Sequence, residues 1–153
     1  IFHADPHPSN FFIDEQGRII LIDFGMVGKL TKETRRKLGL LFLHIGNEEV
    51  ESAVEVITEM GYVADDADLD GFKEDVEEMI LMLRNSRVKD NTLSSTMLEI
   101  VVSAASKGVY LPTNLVLTGK ALVTLEGILL TVNPEARLTT EYQNQIEEIL
   151  KNQ

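Results

Sequence analysis

The sequence predicts a mainly α-helical domain, in which one short β-hairpin precedes a bundle of about six helices. Three observations lead to this fold class. The chain has 153 residues, the usual size of one domain. Its first 25 residues hold two short apolar runs around a turn, and the rest repeats apolar residues at helical spacing. We therefore expect a single domain with two parts, residues 1–30 and residues 31–153.

The hairpin is predicted by two apolar runs that flank a turn. Phe11, Phe12 and Ile13 form the first run, residues 14–17 carry the turn signal, and residues 18–24 form the second. Because residues 19–22 are apolar at every position, we expect both faces of this strand to be covered.

The helices are predicted from apolar spacing and from capping residues. Thr31 is the expected N-cap of a first helix that ends near Gly46, and Asn47 is expected to open a second that stops at Gly61. An acidic loop over residues 62–70 and a third helix follow.

Three further helices are predicted in the second half of the chain. The fourth covers residues 93–106. The fifth, residues 112–132, is apolar nearly all round and is therefore expected at the centre of the bundle. A capping-box pattern at Thr140 predicts the last helix.

Composition and charge exclude several classes of function. The net charge of −11 argues against a general nucleic-acid binder, which needs a basic surface. Thirteen carboxylates lie within residues 47–80, and we interpret them as a solvated helix face and loop. The absence of cysteine excludes disulfides and thiolate chemistry.

Membrane and targeting signals are weak. The longest apolar stretch, residues 115–132, is interrupted by Lys120 and Glu126, so no membrane span is expected. No secretory signal is visible, and the first residue is Ile1. We expect a piece of a longer cytoplasmic protein, in which any membrane association depends on parts outside this chain.

Residues that could carry chemistry lie on either side of the hairpin. Asp5 and Asn10 belong to a proline-stiffened loop before the first strand, and Asp23 ends the second strand. An antiparallel hairpin brings the start of its first strand beside the end of its second. Asn10 and Asp23 should therefore lie close together, with Asp5 nearby. Such oxygen ligands suit Mg²⁺ that holds a polyphosphate.

The spacing of these residues matches the phosphoryl-transfer template. That template has H-x-D, an Asn five residues after the Asp, a hairpin, and then D-F-G. The longer strings HADPHPSN and DFGMVG resemble the UbiB family, also called the aarF or ABC1 family, of atypical protein-kinase-like proteins. The resemblance implies a kinase-like C-lobe that begins at the catalytic loop, with the N-lobe outside this chain.

The resemblance also implies a role for each residue. Asp5 corresponds to the catalytic Asp that orients the nucleophile, and Asn10 and Asp23 would bind Mg²⁺ and ATP. His7 stands where protein kinases usually have Lys, so it would contact the γ-phosphate or act as a local strut. His3 is expected to tie the loop to the backbone near Asp23.

One position departs from the family pattern. The family's loop has Gly where this chain has Ser9, and serine fits only if its φ is negative.

The implied activity is that of an Mg²⁺- and ATP-dependent kinase or ATPase in the intact protein. Its partners would be a nucleotide and a lipid or small-molecule substrate, and its role would be in the biosynthesis of ubiquinone or a related isoprenoid lipid. A helix is expected within about seven residues of Gly25, which leaves no long activation segment. The isolated chain should be inactive, because half of the nucleotide cleft is missing.

Two other functions agree with the same residues. Aminoglycoside and choline kinases share the H-x-D, Asn and Asp layout, although Pro6, Pro8 and the D-F-G-M string favour UbiB. The second alternative is a non-catalytic helical interaction module in which the motif is vestigial. Retention of Asp5, Asn10 and Asp23 together argues against such decay.

Overall fold

The computed structural model describes residues 1–85 and 92–133. Its helices are α1 (Lys32–Gly46), α2 (Val50–Met60), α3 (Leu69–Asn85), α4 (Leu93–Ser106) and α5 (Thr113–Val132). Its short strands form three antiparallel pairs: β1 (Phe2–His3) with β4 (Val27–Gly28), β2 (Phe11–Ile13) with β3 (Ile19–Leu21), and β5 (Tyr62–Val63) with β6 (Val109–Tyr110). The predicted mainly α-helical class, with its early hairpin, is confirmed. The helix predicted from Thr140 lies outside the described residues.

The boundary between α1 and α2 differs from the prediction. Thr31 caps α1 as expected, because its hydroxyl accepts the Thr34 N–H at 3.1 Å. Asn47 ends α1 instead of opening α2, since its N–H donates to carbonyls of the last α1 turn. Glu48 then has a positive φ of 62°, which turns the chain before α2 begins at Val50.

The central helix is α4, so the prediction that α5 lies at the centre of the bundle is wrong. Helix α4 packs against α1, α3 and α5. Eight of its residues are buried: Leu93, Ser94, Thr96, Met97, Ile100, Val101, Ser103 and Ala104. Helix α5 is more apolar, but it buries one face against α4 and contacts β4 near its start.

Helix α5 is nevertheless long and apolar enough to cross a membrane by length and composition. Lys120 and Glu126 both lie within its apolar window, and the expectation of no membrane span stays a prediction. Core helices of soluble proteins share this length and composition, and 28% of the apolar window of α5 is buried. Glu126 is itself buried, and the Thr92 hydroxyl donates to its carboxylate at 2.5 Å.

The hairpin is covered only at one cross-strand pair. The cross-strand pair Phe11 and Leu21 is half-buried and lines a cavity together with Leu122 and Leu125 of α5. Ile19, which lies on the same face as Leu21, is 70% exposed. Other apolar side chains of the hairpin region are exposed as well: Phe12, Ile13, Ile20, Ile22 and Phe24. The prediction that both faces are covered is therefore wrong for the described residues, whose helices reach only the pair Phe11 and Leu21.

The pairing of β1 with β4 depends on a glycine. Gly28 is buried opposite Phe2, and a Cβ at Gly28 would overlap the Phe2 ring. We expect Gly28→Ala to lower the free energy of unfolding by about 1–3 kcal/mol, the usual cost of overpacking. Urea unfolding measures the change. The control is Gly127→Ala on α5, where a Cβ meets nothing within 4 Å. Equal stability of the two variants would contradict the packing role of Gly28.

Candidate active site

The loop before β2 is held by a single turn of 3₁₀ helix over Pro8–Asn10. The His7 N–H donates to the Asp5 carbonyl at 2.7 Å, and the Asn10 N–H donates to the His7 carbonyl at 2.9 Å. Ser9 lies within this turn. Glu48 is the only non-glycine residue with positive φ in the described ranges, so serine fits the loop without backbone strain. The condition on Ser9 is therefore met.

His3 joins this loop to the turn after β3. Its Nε2 donates to the Asp23 carbonyl at 2.6 Å, and its Nδ1 accepts the Asp5 N–H at 3.3 Å. These two bonds together require the neutral Nε2–H tautomer. The Ala4 N–H also donates to the Met26 carbonyl at 3.0 Å. The expected tie between His3 and the backbone at Asp23 is confirmed.

Asn10 and Asp23 lie at the same end of the hairpin. The Ile22 N–H donates to the Asn10 carbonyl at 3.2 Å, which places Asn10 opposite the residue that precedes Asp23. The Asn10 side chain donates its Nδ2 to the Asp5 carbonyl at 3.3 Å. That bond uses the amide nitrogen and leaves Oδ1 as the atom that could bind a cation.

The Asp23 carboxylate shapes the turn that follows it. Its Oδ1 accepts the Gly25 N–H at 2.7 Å, and a Cβ at Gly25 would lie 3.1 Å from the same oxygen. Glycine at position 25 thus lets the backbone approach the carboxylate closely, while Oδ2 can face a ligand.

The Asp5 carboxylate points toward helix α5. Its Oδ1 lies 3.6 Å from Nζ of Lys120, and both side chains are about half exposed. Sequence reasoning missed this neighbour and treated Lys120 only as an interruption of an apolar run. A lone cation in an apolar helix was the one signal that could have indicated it.

The His7 ring is partly used by the loop itself. Its Nδ1 lies 2.8 Å from the Ser9 hydroxyl and accepts the Ser9 N–H at 3.3 Å, so it caps the 3₁₀ turn. This contact is the strut that the sequence offered as one role of His7. The exposed Nε2 is the atom that could contact a phosphate, and that contact stays a prediction.

The oxygen donors fit a magnesium ion that arrives with a polyphosphate. No group of three or more His, Cys, Asp or Glu side chains within residues 1–85 and 92–133 could hold a metal. Mg²⁺ usually binds one or two carboxylates and completes its shell with waters and substrate phosphates. Asn10 and Asp23 supply one amide oxygen and one carboxylate of the kind that such an ion binds.

A helical lobe that opens with H-x-D, Asn, a hairpin and D-F-G has the layout of the C-lobe of a protein-kinase-like protein. Residues 1–57 match the model of the ABC1 atypical kinase-like domain. The chain belongs to this ABC1 family, which includes UbiB. The match favours this family over aminoglycoside and choline kinases.

Curated relatives agree with this assignment. The chain is 31% identical to an uncharacterised protein of Synechocystis over 82% of its length, and 30% identical to the probable protein kinase UbiB of Shewanella woodyi over 83%. It is 31% identical to the chloroplastic Protein ACTIVITY OF BC1 COMPLEX KINASE 1 of Arabidopsis thaliana over 88%. The chain spans 31%, 24% and 20% of these three proteins, respectively. No solved structure matches it.

Proposed function

We propose that this chain is the C-lobe part of an Mg²⁺- and ATP-dependent atypical kinase or ATPase. The observation that carries the proposal is the bond from the His3 ring to the Asp23 carbonyl. It ties the loop that carries Asp5 and Asn10 to the D-F-G turn that carries Asp23. The three side chains can therefore act on one ligand.

In this proposal each candidate residue has a defined role. Asn10 Oδ1 and the Asp23 carboxylate hold Mg²⁺ with the nucleotide, and the ion, when bound, neutralises charge on the phosphates. Asp5 orients the nucleophile and accepts its proton. His7 Nε2 contacts the terminal phosphate, while Nδ1 keeps the loop in shape.

The proposed biological role is supported by the relatives' names, and the proposed substrate class by the length of one segment. Several are called UbiB, which supports a role in the biosynthesis of ubiquinone or a related isoprenoid lipid. The segment between Gly25 and α1 is short, with Lys32 as the first helical residue. This length favours a lipid or small-molecule substrate over a protein substrate. We propose that the intact protein is cytoplasmic and that any membrane association depends on parts outside this chain.

The exposed apolar side chains of the hairpin support a two-lobed arrangement. Ile13, Ile19 and Ile22 are each more than half exposed, and they lie on the hairpin that bears Asp23. An N-lobe outside this chain would cover them and complete the nucleotide cleft. The 153 residues would then form one partial kinase-like domain, inactive without its other half.

Calorimetry tests this proposal on two proteins. We expect the full-length protein that carries this chain to bind MgATP, and the 153-residue chain alone to show no binding at millimolar ATP. Omission of Mg²⁺ should abolish the heat of binding to the full-length protein. Binding by neither protein would instead favour a non-catalytic helical module, and equal binding by both would contradict the division into two lobes.

A further inference from the structure

Helix α5 brings a cation to the candidate catalytic loop. Lys120 is the only basic residue of α5, and it approaches the Asp5 carboxylate across 115 positions of sequence. We infer that Lys120 is a positioning residue, which holds the Asp5 carboxylate and compensates its charge when a nucleotide phosphate arrives. This inference rests on the proposed function, because it assigns a task within the same site.

The backbone of Lys120 is fixed by its neighbours. Gly119 is buried beside Leu98 of α4, and Ala121 is buried at the cavity that Phe2 and Pro6 also line. The Lys120 side chain between them is 58% exposed, and its ammonium group lies 3.6 Å from the Asp5 carboxylate. The approach is therefore set by the packing of α5 against α4 and the catalytic loop.

The stability of the fold gives little reason for this ion pair. Exposed pairs contribute about 0–1 kcal/mol, and a separation of 3.6 Å is too long for a hydrogen bond. A charged side chain on an otherwise apolar helix also forgoes apolar contacts. The effect of Lys120 should consequently be seen in the chemistry at Asp5 and not in folding.

Charge at the site supplies the chemical reason. Asp5 and the phosphates of a bound nucleotide are all negative, and a cation within 4 Å of the carboxylate lowers their repulsion. A carboxylate held in one orientation also keeps its reactive geometry, and a misplacement of about 1 Å costs about a hundredfold in rate. His7 cannot replace this cation through Nδ1, because that atom caps the 3₁₀ turn.

Steady-state ATP turnover by the full-length protein tests the inference. Lys120→Met should lower kcat about tenfold to a hundredfold and raise KM for MgATP by a smaller factor, because the uncompensated Asp5 charge then repels the phosphates. Lys120→Arg should restore most of kcat, since it keeps the charge. Lys73→Met is the matched control, because Lys73 is a similarly exposed helical lysine paired with Glu51. It should leave both constants unchanged, and all variants should melt within about 2 °C of the wild type.

A second comparison asks whether Lys120 acts through Asp5. In an Asp5→Asn background, Lys120→Met should cause no further loss of the residual turnover, because the carboxylate it positions is gone. Additive losses would overturn the inference, as would wild-type kcat in Lys120→Met or an arginine variant no better than the methionine one. Wild-type protein without Mg²⁺-dependent ATP binding would overturn the proposed function and this inference with it. Normal wild-type turnover with an unaffected Lys120→Met would overturn the inference alone.

Discussion

The full-length protein with Asp23→Asn is expected to bind MgATP at least tenfold more weakly than the wild type, a loss of about 1.4 kcal/mol or more. Asparagine keeps an oxygen that can accept the Gly25 N–H, so the turn after β3 should persist. What the variant loses is the negative charge that a magnesium ion needs. Calorimetry at saturating Mg²⁺ measures the change directly.

Asp14 offers a matched control for this substitution. It lies at the other end of the same hairpin, and its Oδ1 accepts the Arg18 N–H at 2.8 Å, much as Asp23 accepts that of Gly25. The backbone N–H of Arg18 lowers the pKa of Asp14. Asp14→Asn should leave MgATP binding unchanged. Equal weakening by both substitutions would point to damage to the hairpin and contradict the metal role of Asp23.

Local signals in the sequence were enough to predict the loop and the hairpin. Pro6 and Pro8 restrict the backbone before the first strand, and the turn at residues 14–17 sets the strand pairing. Since the H-x-D and D-F-G elements flank that hairpin, their meeting at one end follows from its antiparallel pairing. The tie through His3 was predictable for the same reason.

Contacts between distant parts of the chain were not predictable. Strands β5 and β6 have two residues each and pair across 46 and 48 positions, next to Gly108 with its φ of 86°. The sequence showed only an acidic loop there. The sequence predicts α5 at the centre because α5 has the most apolar composition. Composition, however, does not determine how many other helices a helix contacts. Helix α4 contacts α1, α3 and α5, and its buried residues include small ones such as Ser94 and Ala104.

The approach of Lys120 to Asp5 belongs to the same class of contact. It depends on how α5 lies against the catalytic loop, and that placement comes from the packing of Ala121 and its buried neighbours. Nothing within a few residues of Asp5 indicates a cation. The loop part of this site can therefore be predicted from the sequence, whereas the contribution of the distant helix cannot.

Asp5→Asn is expected to lower the turnover of the full-length protein about 10²–10⁴-fold, the usual contribution of a positioned acid–base group. The loop should survive, because the backbone carbonyl of Asp5, and not its side chain, accepts the bonds from His7 and Asn10. Binding of MgATP should stay the same or tighten slightly, since a negative charge near the phosphates is removed.

Single-turnover kinetics combined with calorimetry separate the two carboxylates. Asp23→Asn should act mainly on the dissociation constant of MgATP, and Asp5→Asn mainly on the rate of the chemical step. The reverse result, weak binding in Asp5→Asn with normal turnover at saturation, would exchange the two assignments. Such an exchange is hard to reconcile with the structure. Asp5 has a lysine 3.6 Å from its carboxylate, which a magnesium ligand would not need, while Asp23 and Asn10 share the open end of the hairpin.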